Sequence, residues 1–529
     1  MPAWLKRIAI AAVAASAMAG AAAAQVIYHR GNDADPETLD PHKTSTVYEA
    51  QILRDISEGL VIHDAAAKVV PGVAEKHELS DDGRVYRFIL RADAKWSNGD
   101  PVKASDFVFS FRRIMNPETG AKYANLLYPI LNAEKVNKGE GKVEELGVRA
   151  VDDRTLEITL ERPTPYFLEL LTHQSALPVH PASVEKHGTS FTRPENYVTN
   201  GAYVLKEWVP NSHIRLDKNP HFHAAGTVKI DTVIHYPNKD LAAAARRFMA
   251  GELHSTSDIP ADQTKFLKER LGDQVKISPY LGTYYLAVNT QKKPFDDVRV
   301  RTALSMAIDR EFIAEEIWQG TMLPAYSFVP PGIGNYGTPA YADYKDLSPI
   351  DREEKAKSLL KEAGYGPGLK PLKVEIRYNT TDNNKNTVVA IANQWKAIGV
   401  ETTFINTDAK THFAHLRERG DFDVARAGWI GDYSDPQNFL FLVQSDNKGL
   451  NYARYENPEY DTLMRKASEE KDLGRRAQIL FEAEKIFMRD LPYIPILYYS
   501  NKNLVSSKLE GWVPNLRGAN ATRFMSLKP

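Results

Sequence analysis

The closest match to a cofactor pattern is the glycine-rich stretch Gly332–Gly337, which has the spacing G-x-G-x-x-G. That spacing can bind the phosphates of a dinucleotide when a strand precedes it and a helix follows it. Here Pro330-Pro331 comes before the glycines and Thr338-Pro339 comes after them, so neither neighbour fits a strand–turn–helix unit. We therefore interpret the stretch as a loop and predict no cofactor.

Two other groups could do chemistry. His221 and His223 form an isolated H-x-H, but a metal centre needs three or four converging ligands, so we predict surface histidines and no metal. Asp421 and Asp423 could pair on one strand face, although Gly420-Asp421 favours a turn with solvated carboxylates. The sequence has no G-x-S-x-G, no H-E-x-x-H and no P-loop lysine. These observations predict a protein that is not an enzyme.

Short helices and strands alternate along the chain and must position whatever site exists. Val85–Arg91 alternates between apolar and charged side chains, which predicts a half-buried strand. Ser105 is the expected N-cap of the amphipathic helix that follows. Further along, the clearest pattern lies between residues 348 and 406.

Ser348-Pro349 predicts the start of a helix that ends at Gly364. Strict alternation over Leu372–Tyr378 predicts a strand, helical spacing over Val388–Ile398 a helix, and Val400–Ile405 a second strand. A strand–helix–strand order implies a right-handed crossover and parallel pairing. This region is therefore expected to form an α/β lobe.

The N-terminus resembles a secretion signal. Lys6 and Arg7 precede the run of apolar and small residues Ile8–Ala24, and Ala22–Ala24 fits an A-x-A cleavage site before Gln25. A membrane anchor is the alternative, but the run is short for a span of about 20 residues. We predict a cleaved signal peptide over residues 1–24 and export to a Gram-negative periplasm.

Composition narrows the class further. The sequence has no cysteine, which excludes disulfides, thiol catalysis and a lipoprotein anchor. Its formal charge of -1 argues against a nucleic-acid-binding protein, which would have a basic domain. A chain of 529 residues exceeds what one hydrophobic core usually serves, so two or three lobes are expected.

Several ordered segments resemble the extracellular solute-binding proteins of the peptide/nickel importer family. They lie at Asp81–Arg112 (DDGRVYRFILRADAKWSNGDPVKASDFVFSFR), Asn200–Tyr203, Pro294–Arg301, Ala303-Leu304, Ala307–Arg310 and Ala356–Tyr365. The resemblance implies an α/β, three-lobed periplasmic-binding-protein-like fold (type II, cluster C), in which two α/β lobes are joined by a hinge and carry an inserted domain. It assigns 25–65, 191–283 and 500–529 to lobe I, 66–190 to lobe II and 284–499 to lobe III.

The segment Asp423–Leu440 (DVARAGWIGDYSDPQNFL) is similar to that of the peptide-binding members. The resemblance implies that Asp432 receives the ammonium group of a peptide and that Arg426 meets the carboxylate of a short one. A zwitterionic ligand needs both charges, and a guanidinium binds a carboxylate in two-pronged fashion. Alternatively, Arg426 pairs with Asp421, Asp423 or Asp432, or Asp432 caps a turn.

The resemblance adds weaker ligand-binding candidates. They are Gly428, Trp429 and Tyr433 beside Asp432, and the tyrosines Tyr285 and Tyr499, each of which belongs to a pair with one ring on each face of a strand. Oligopeptide binders can carry a histidine that serves the carboxylate of longer peptides, but this sequence has none in the matching stretch, where Asn384 lies nearest that position. The difference implies another preferred peptide length, or that Lys385 or water takes the role.

The expected function is capture of short peptides between two closing lobes and delivery to an ABC-type permease, by a monomer. Murein tripeptides or dipeptides are an alternative ligand within the same family. Sugars, opines or metal chelates are alternatives of another class, and these ligands have no need of Asp432 as an ammonium acceptor.

Overall fold

The computed structural model describes residues 25–32, 34–238, 240–334, 336–366, 368–407 and 409–528. The predicted signal peptide, residues 1–24, lies outside the described residues. Within the described ranges, no helix combines the length and the apolar character that crossing a bilayer requires.

The strands are β1 (Ile27–Asn32), β2 (Val61–His63), β3 (Val69–Pro71), β4 (Ala74–Leu79), β5 (Val85–Leu90), β6 (Val148–Ala150), β7 (Thr155–Thr159), β8 (Tyr203–Val209), β9 (His213–Lys218), β10 (Thr232–Pro237), β11 (Val275–Val288), β12 (Leu323–Pro324), β13 (Leu372–Asn379), β14 (Val400–Thr407), β15 (Val424–Ile430), β16 (Tyr493–Leu504), β17 (Leu509–Glu510) and β18 (Ser526–Leu527). The α-helices are α1 (Val47–Ile56), α2 (Ala104–Met115), α3 (Ala133–Asn137), α4 (Phe167–Leu170), α5 (Pro181–His187), α6 (Leu241–Met249), α7 (Thr264–Leu271), α8 (Val298–Met306), α9 (Arg310–Phe312), α10 (Pro349–Glu362), α11 (Asp382–Ala397), α12 (Ala409–Arg417), α13 (Gln437–Leu440), α14 (Pro458–Glu469) and α15 (Leu473–Asp490).

The first sheet has the strand order β1-β10-β9-β8 and forms the base of lobe I. β1 and β10 run parallel, whereas β9 pairs antiparallel with both of its neighbours. Its core packs Tyr28 of β1 and Tyr203 of β8 against Leu53 of α1, and Met525 from the end of the chain joins the same core.

The C-terminal residues are also bonded to this lobe through buried polar groups. The backbone N–H and the hydroxyl of Thr522 donate to the carboxylate of Asp55, both at 2.7 Å. Arg30 of β1 donates to the carbonyl of Asn520 at 2.8 Å. Lobe I is thus completed by the two ends of the described chain.

A separate sheet, with the order β4-β5-β7-β6, lies in the stretch between β1 and β8. Helix α2 contributes Phe107 and Phe111 to its core, where Trp96 is also fully buried. The predicted strand is confirmed at Val85–Leu90.

The predicted N-cap at Ser105 is wrong, because α2 begins one residue earlier and Lys103 is its N-cap. The carboxylate of Asp106, at the third helical position, accepts the N–H of Lys103 at 3.0 Å. This bond caps the helix from inside its first turn, so Ser105 lies within the helix.

The largest sheet has the order β12-β16-β11-β15-β13-β14 and belongs to lobe III. The predicted α/β unit is confirmed, since β13 and β14 pair in parallel from Leu372↔Val400 onward and α11 connects them. Ser348 caps α10, as predicted, by accepting the N–H of Asp351 at 3.1 Å. Helices and a mixed sheet make this lobe α/β.

Strands β11 and β16 run as an antiparallel pair from one lobe into the other. Leu281 and the following residues of β11 pack in the lobe III core, whereas Val275 packs with Leu504 of β16 in a smaller cluster outside that core. The predicted lobe limits at 283/284 and 499/500 fall inside these two strands. Their pairing shifts register between Pro279 and Thr283, which makes this the point where the two strands bend.

Candidate functional site

Asp432 lies two residues after the end of β15, a strand in the middle of the large sheet. Its backbone N–H donates to Asn438 at 2.9 Å, but its half-buried carboxylate accepts no hydrogen bond from the described residues. Burial raises the pKa of this carboxyl, and the nearby positive charge of Arg517 opposes that rise. A carboxylate kept from water without a donor is a site for a cation.

Asn438 fixes the turn that presents Asp432. Its side-chain oxygen accepts the N–H of Asp432 and also the indole N–H of Trp429, at 3.2 Å. Gly431 lies between Trp429 and Asp432 in the sequence, and a Cβ added to it would come within 2.8 Å of the Leu281 side chain. Asn438 was not predicted, because its helix α13 has only four residues and carries no periodic signal in the sequence.

Arg426 of β15 faces polar but uncharged partners. Its guanidinium donates to the side-chain oxygen of Asn379 at 2.9 Å and to the hydroxyl of Tyr499 at 3.0 Å. It also lies 4.4 Å from the ring centre of Tyr284, and its Nε is buried without a partner among the described residues. The charge of Arg426 is therefore not neutralised by a carboxylate of the described chain.

The alternative partners suggested for Arg426 are engaged elsewhere. Asp421 and Asp423 both bind Lys292, at 2.7 and 2.9 Å. Asp423 also accepts the backbone N–H of Glu375 at 2.9 Å. Neither acid is within ion-pair distance of Arg426.

Gly428 and Tyr499 depend on each other. A Cβ at Gly428 would lie 2.6 Å from the hydroxyl oxygen of Tyr499, so the glycine leaves the space that the tyrosine fills. Tyr499 is half-buried, whereas its neighbour Tyr498 is buried and forms a hydrogen bond with Ser327. The structure thus brings Gly428, Tyr499 and Arg426 together.

Asn384 lies in the same polar network. It is buried, accepts the hydroxyl of Tyr284 at 3.2 Å and donates to the carbonyl of Asn379 at 3.0 Å. Lys385 beside it is exposed on α11. Asn384 therefore supports the neighbours of Arg426.

Two of the expected tyrosines lie away from this network. Tyr285 is 1% exposed and stacks on Tyr493 at 4.4 Å, so its ring belongs to the lobe III core and no ligand in a cleft reaches it. Tyr433 stacks face to face on Tyr166 at 4.9 Å and packs in the lobe II core. Tyr433 therefore joins lobe III to lobe II beside Asp432.

A cleft of about 720 Å³ lies between the lobes. Its lining includes Glu169 and Lys68 on one side, Ser434 after the Asp432 turn, and Arg517 from the C-terminal segment. Gly332 and Gly334 of the glycine-rich stretch also line it. No helix or strand adjoins those glycines among the described residues 325–348, as predicted.

No metal centre is built from the described residues, in which no three His, Asp or Glu side chains converge. The ring Nε2 of His223 forms a hydrogen bond with the carboxylate of Glu58 at 2.8 Å, and His221 packs beside Gly99. The two histidines of the H-x-H pair therefore contact different residues of this chain.

The chain matches the family model of the bacterial extracellular solute-binding proteins, family 5 middle, over residues 68–451. It is 39% identical to the periplasmic oligopeptide-binding protein OppA of Escherichia coli (strain K12) over 487 residues, covering 91% of this chain and 89% of OppA. It is also 39% identical to the periplasmic murein peptide-binding protein MppA of the same organism over 484 residues, with the same two shares covered.

The solved structures that it resembles differ in their state. The unliganded open form of MppA matches with a TM-score of 0.90 at 38% identity, over 96% of this chain and 98% of MppA. Haemophilus influenzae OppA in complex with the peptide RPPGFSPFR matches with a TM-score of 0.72 at 36% identity, over 95% and 99%. The two sequence identities are similar, so the higher TM-score indicates that the lobes of this chain are arranged more nearly as in the unliganded open form of MppA than as in the peptide-bound OppA.

Proposed function

Since the chain belongs to the bacterial extracellular solute-binding proteins of family 5, we propose that it captures short peptides between two closing lobes and delivers them to an ABC-type membrane permease. The observation that carries this proposal is the half-buried carboxylate of Asp432, which has no donor among the described residues and lies two residues before Ser434 of the cleft lining. A peptide ammonium supplies the missing cation and its hydrogen bonds.

Arg426 is the proposed partner of the other end of a short peptide. Its guanidinium holds only Asn379 and Tyr499, which are neutral groups. Exchanging such a neutral partner for a ligand carboxylate gains a charge-assisted, two-pronged hydrogen bond. Asp432 and Arg426 are both fixed by the same strand, β15, and its following turn, so the sheet sets the distance between the two charges.

Capture requires that the open cleft close on its ligand. Strands β11 and β16 connect the lobes and bend between Pro279 and Thr283, so a change of backbone angle there swings lobe I toward lobe III. Closure buries the peptide ends, while water in the side-chain pockets tolerates different side chains. The protein thus acts by binding and release and not by catalysis.

We place this activity in the periplasm, with the signal peptide at 1–24 removed. The partners are short peptides and an inner-membrane permease, with no nucleic acid, and the binding unit is one chain. The periplasmic relatives and the Lys-Arg start of the apolar N-terminal run support this location.

Mass spectrometry of the ligands that denaturation releases from the purified mature protein tests the proposal. A mixture of peptides with free amino termini is the expected result. A single murein peptide would narrow the function to cell-wall recycling, as the equal identity to MppA permits. Recovery of a sugar, an opine or a metal chelate would overturn the assignment of Asp432.

A further inference from the structure

Arg517 places a positive charge on the wall of the cleft, beside Asp432. Its Nη1 donates to the carbonyl of Gly431 at 3.0 Å, which places the guanidinium next to Asp432. No carboxylate oxygen lies within ion-pair distance of it in the described part of the chain, and its buried Nε has no hydrogen-bond partner there. Arg517 is half-buried and lines the cleft.

A second guanidinium lies near the first. Arg54 of α1 has a buried Nη1 without a partner among the described residues. Burial and, after it, the charge of Arg517 lower the pKa of Arg54 to about 10. The positive charges of both arginines also act on the buried His173, whose pKa is about 3 mainly because of its burial. The positive charge of Arg517 on the cleft wall is therefore reinforced by a second arginine, which lines a separate pocket.

The acids near these arginines are already committed. Glu169 lines the cleft and binds His63 at 3.2 Å. The charge of Arg517 also acts on Asp432, where it opposes the rise in the pKa of that carboxyl. Lys68 adds one more cation to the lining.

Binding of a peptide changes the balance of positive and negative charges around Asp432. When the ligand ammonium occupies Asp432, one carboxylate faces two cations, the ammonium and Arg517. Closure of the lobes removes water from these three charged groups, which strengthens the repulsion between the ligand ammonium and Arg517. A carboxylate on the ligand, close to its amino terminus, would neutralise the excess charge and satisfy the open donors of Arg517.

Resting on the proposed function, we propose that Arg517 is a specificity-determining residue that selects peptides carrying an acidic side chain at their first residue. Charge-assisted hydrogen bonds of this kind favour the acidic peptide over its neutral isostere by about tenfold or more. The selectivity comes from the C-terminal segment and is separate from the capture of the peptide ends by Asp432 and Arg426.

Isothermal titration calorimetry of the ligand-free mature protein tests this with four peptides: Ala-Ala-Ala, Glu-Ala-Ala, Gln-Ala-Ala and Ala-Ala-Glu. The measured quantity is the ratio of the dissociation constants for Gln-Ala-Ala and Glu-Ala-Ala, which differ in one charge. We expect a ratio of about ten or more in the wild type, close to one in Arg517→Gln, and intermediate in Arg517→Lys. Ala-Ala-Glu should bind like Ala-Ala-Ala.

The control is Arg475→Gln, because Arg475 is 72% exposed on α15 and pairs with Glu470 outside the cleft lining. It should retain the wild-type ratio. If no peptide binds the wild type, the proposed function itself is overturned. If the peptides bind the wild type with equal affinity, or if Arg517→Gln keeps the preference, the role of Arg517 is overturned and peptide capture stands. If Arg517→Gln does not fold, Arg517→Lys decides the role of Arg517, and an unchanged wild-type ratio in that variant overturns it.

Discussion

Arg476 binds both carboxylate oxygens of Asp435, with N–O distances of 2.6 and 2.8 Å, and both side chains are buried. The guanidinium also lies 5.5 Å from the ring centre of Tyr166 in lobe II, and that ring stacks on Tyr433. This ion pair therefore holds the loop that follows Asp432 against α15 and against a second lobe.

Loss of Arg476 should destabilise the protein strongly. Arg476→Met leaves the Asp435 carboxylate buried without its partner, and such a change typically lowers the free energy of unfolding by about 3–5 kcal/mol. Urea unfolding followed by tryptophan fluorescence measures it. Adding Asp435→Asn to the same chain removes the orphaned charge while its amide oxygen can still accept the N–H of Gln437, so the double variant should recover part of the loss. A double variant less stable than Arg476→Met would contradict this account.

Asp432→Asn should weaken peptide binding by roughly two to three orders of magnitude, since breaking a buried charge pair costs about 3–5 kcal/mol. Calorimetry with tri-alanine measures the affinity. The fold should not suffer, because the carboxylate accepts no hydrogen bond from the described residues. An unchanged melting temperature with lost binding supports the role of Asp432, and an unchanged affinity removes it from the site.

Peptide affinity should fall at acidic pH. Burial holds the pKa of Asp432 above its ordinary value of 3.8 in the free protein. A bound ammonium lowers that pKa, because it stabilises the charged form. Binding energy is therefore fully present above the pKa of the free protein and is lost as the pH falls through it, by up to tenfold per pH unit. Titrations from pH 7 downward check the sign, and Asp432→Asn should abolish this component.

Arg426→Gln should weaken binding of tripeptides with a free C-terminal carboxylate by about ten- to a hundredfold, in line with about 1.5–3 kcal/mol for a hydrogen bond to a charged group. The same tripeptides with an amidated C-terminus should lose much less, because they offer Arg426 no carboxylate. The ratio of acid to amide affinity in the two proteins gives the result. Equal losses for both ligands would show that Arg426 acts on the fold of the site and not on the carboxylate.

The α/β unit from Ser348 to Thr407 was predictable because each of its elements carries a local pattern. Alternation predicts β13 and β14, and helical spacing predicts α11. The segment around Arg426 and Asp432 was predictable from its resemblance to a family. Both signals lie within a short stretch of chain.

Other features depend on contacts between distant residues. Arg517 reaches the Asp432 turn across 86 residues of sequence, in a loop with no periodic pattern. Strand alternation could not say which of Tyr284 and Tyr285 faces the core, because the structure buries both, at 0% and 1% exposure. A strand in the middle of a sheet covered on both faces hides the rings on each side.

The joining of Thr522 to Asp55 and of Asn520 to Arg30 has a consequence for the order in which the chain folds. β1 and α1 complete these buried hydrogen bonds only when residues 520–522 reach them, across 490 positions of sequence for Arg30. The β4–β7 sheet can assemble earlier, since its four strands all lie between residues 74 and 159. Loop closure over so long a segment costs conformational entropy, so lobe I is expected to form more slowly than this sheet.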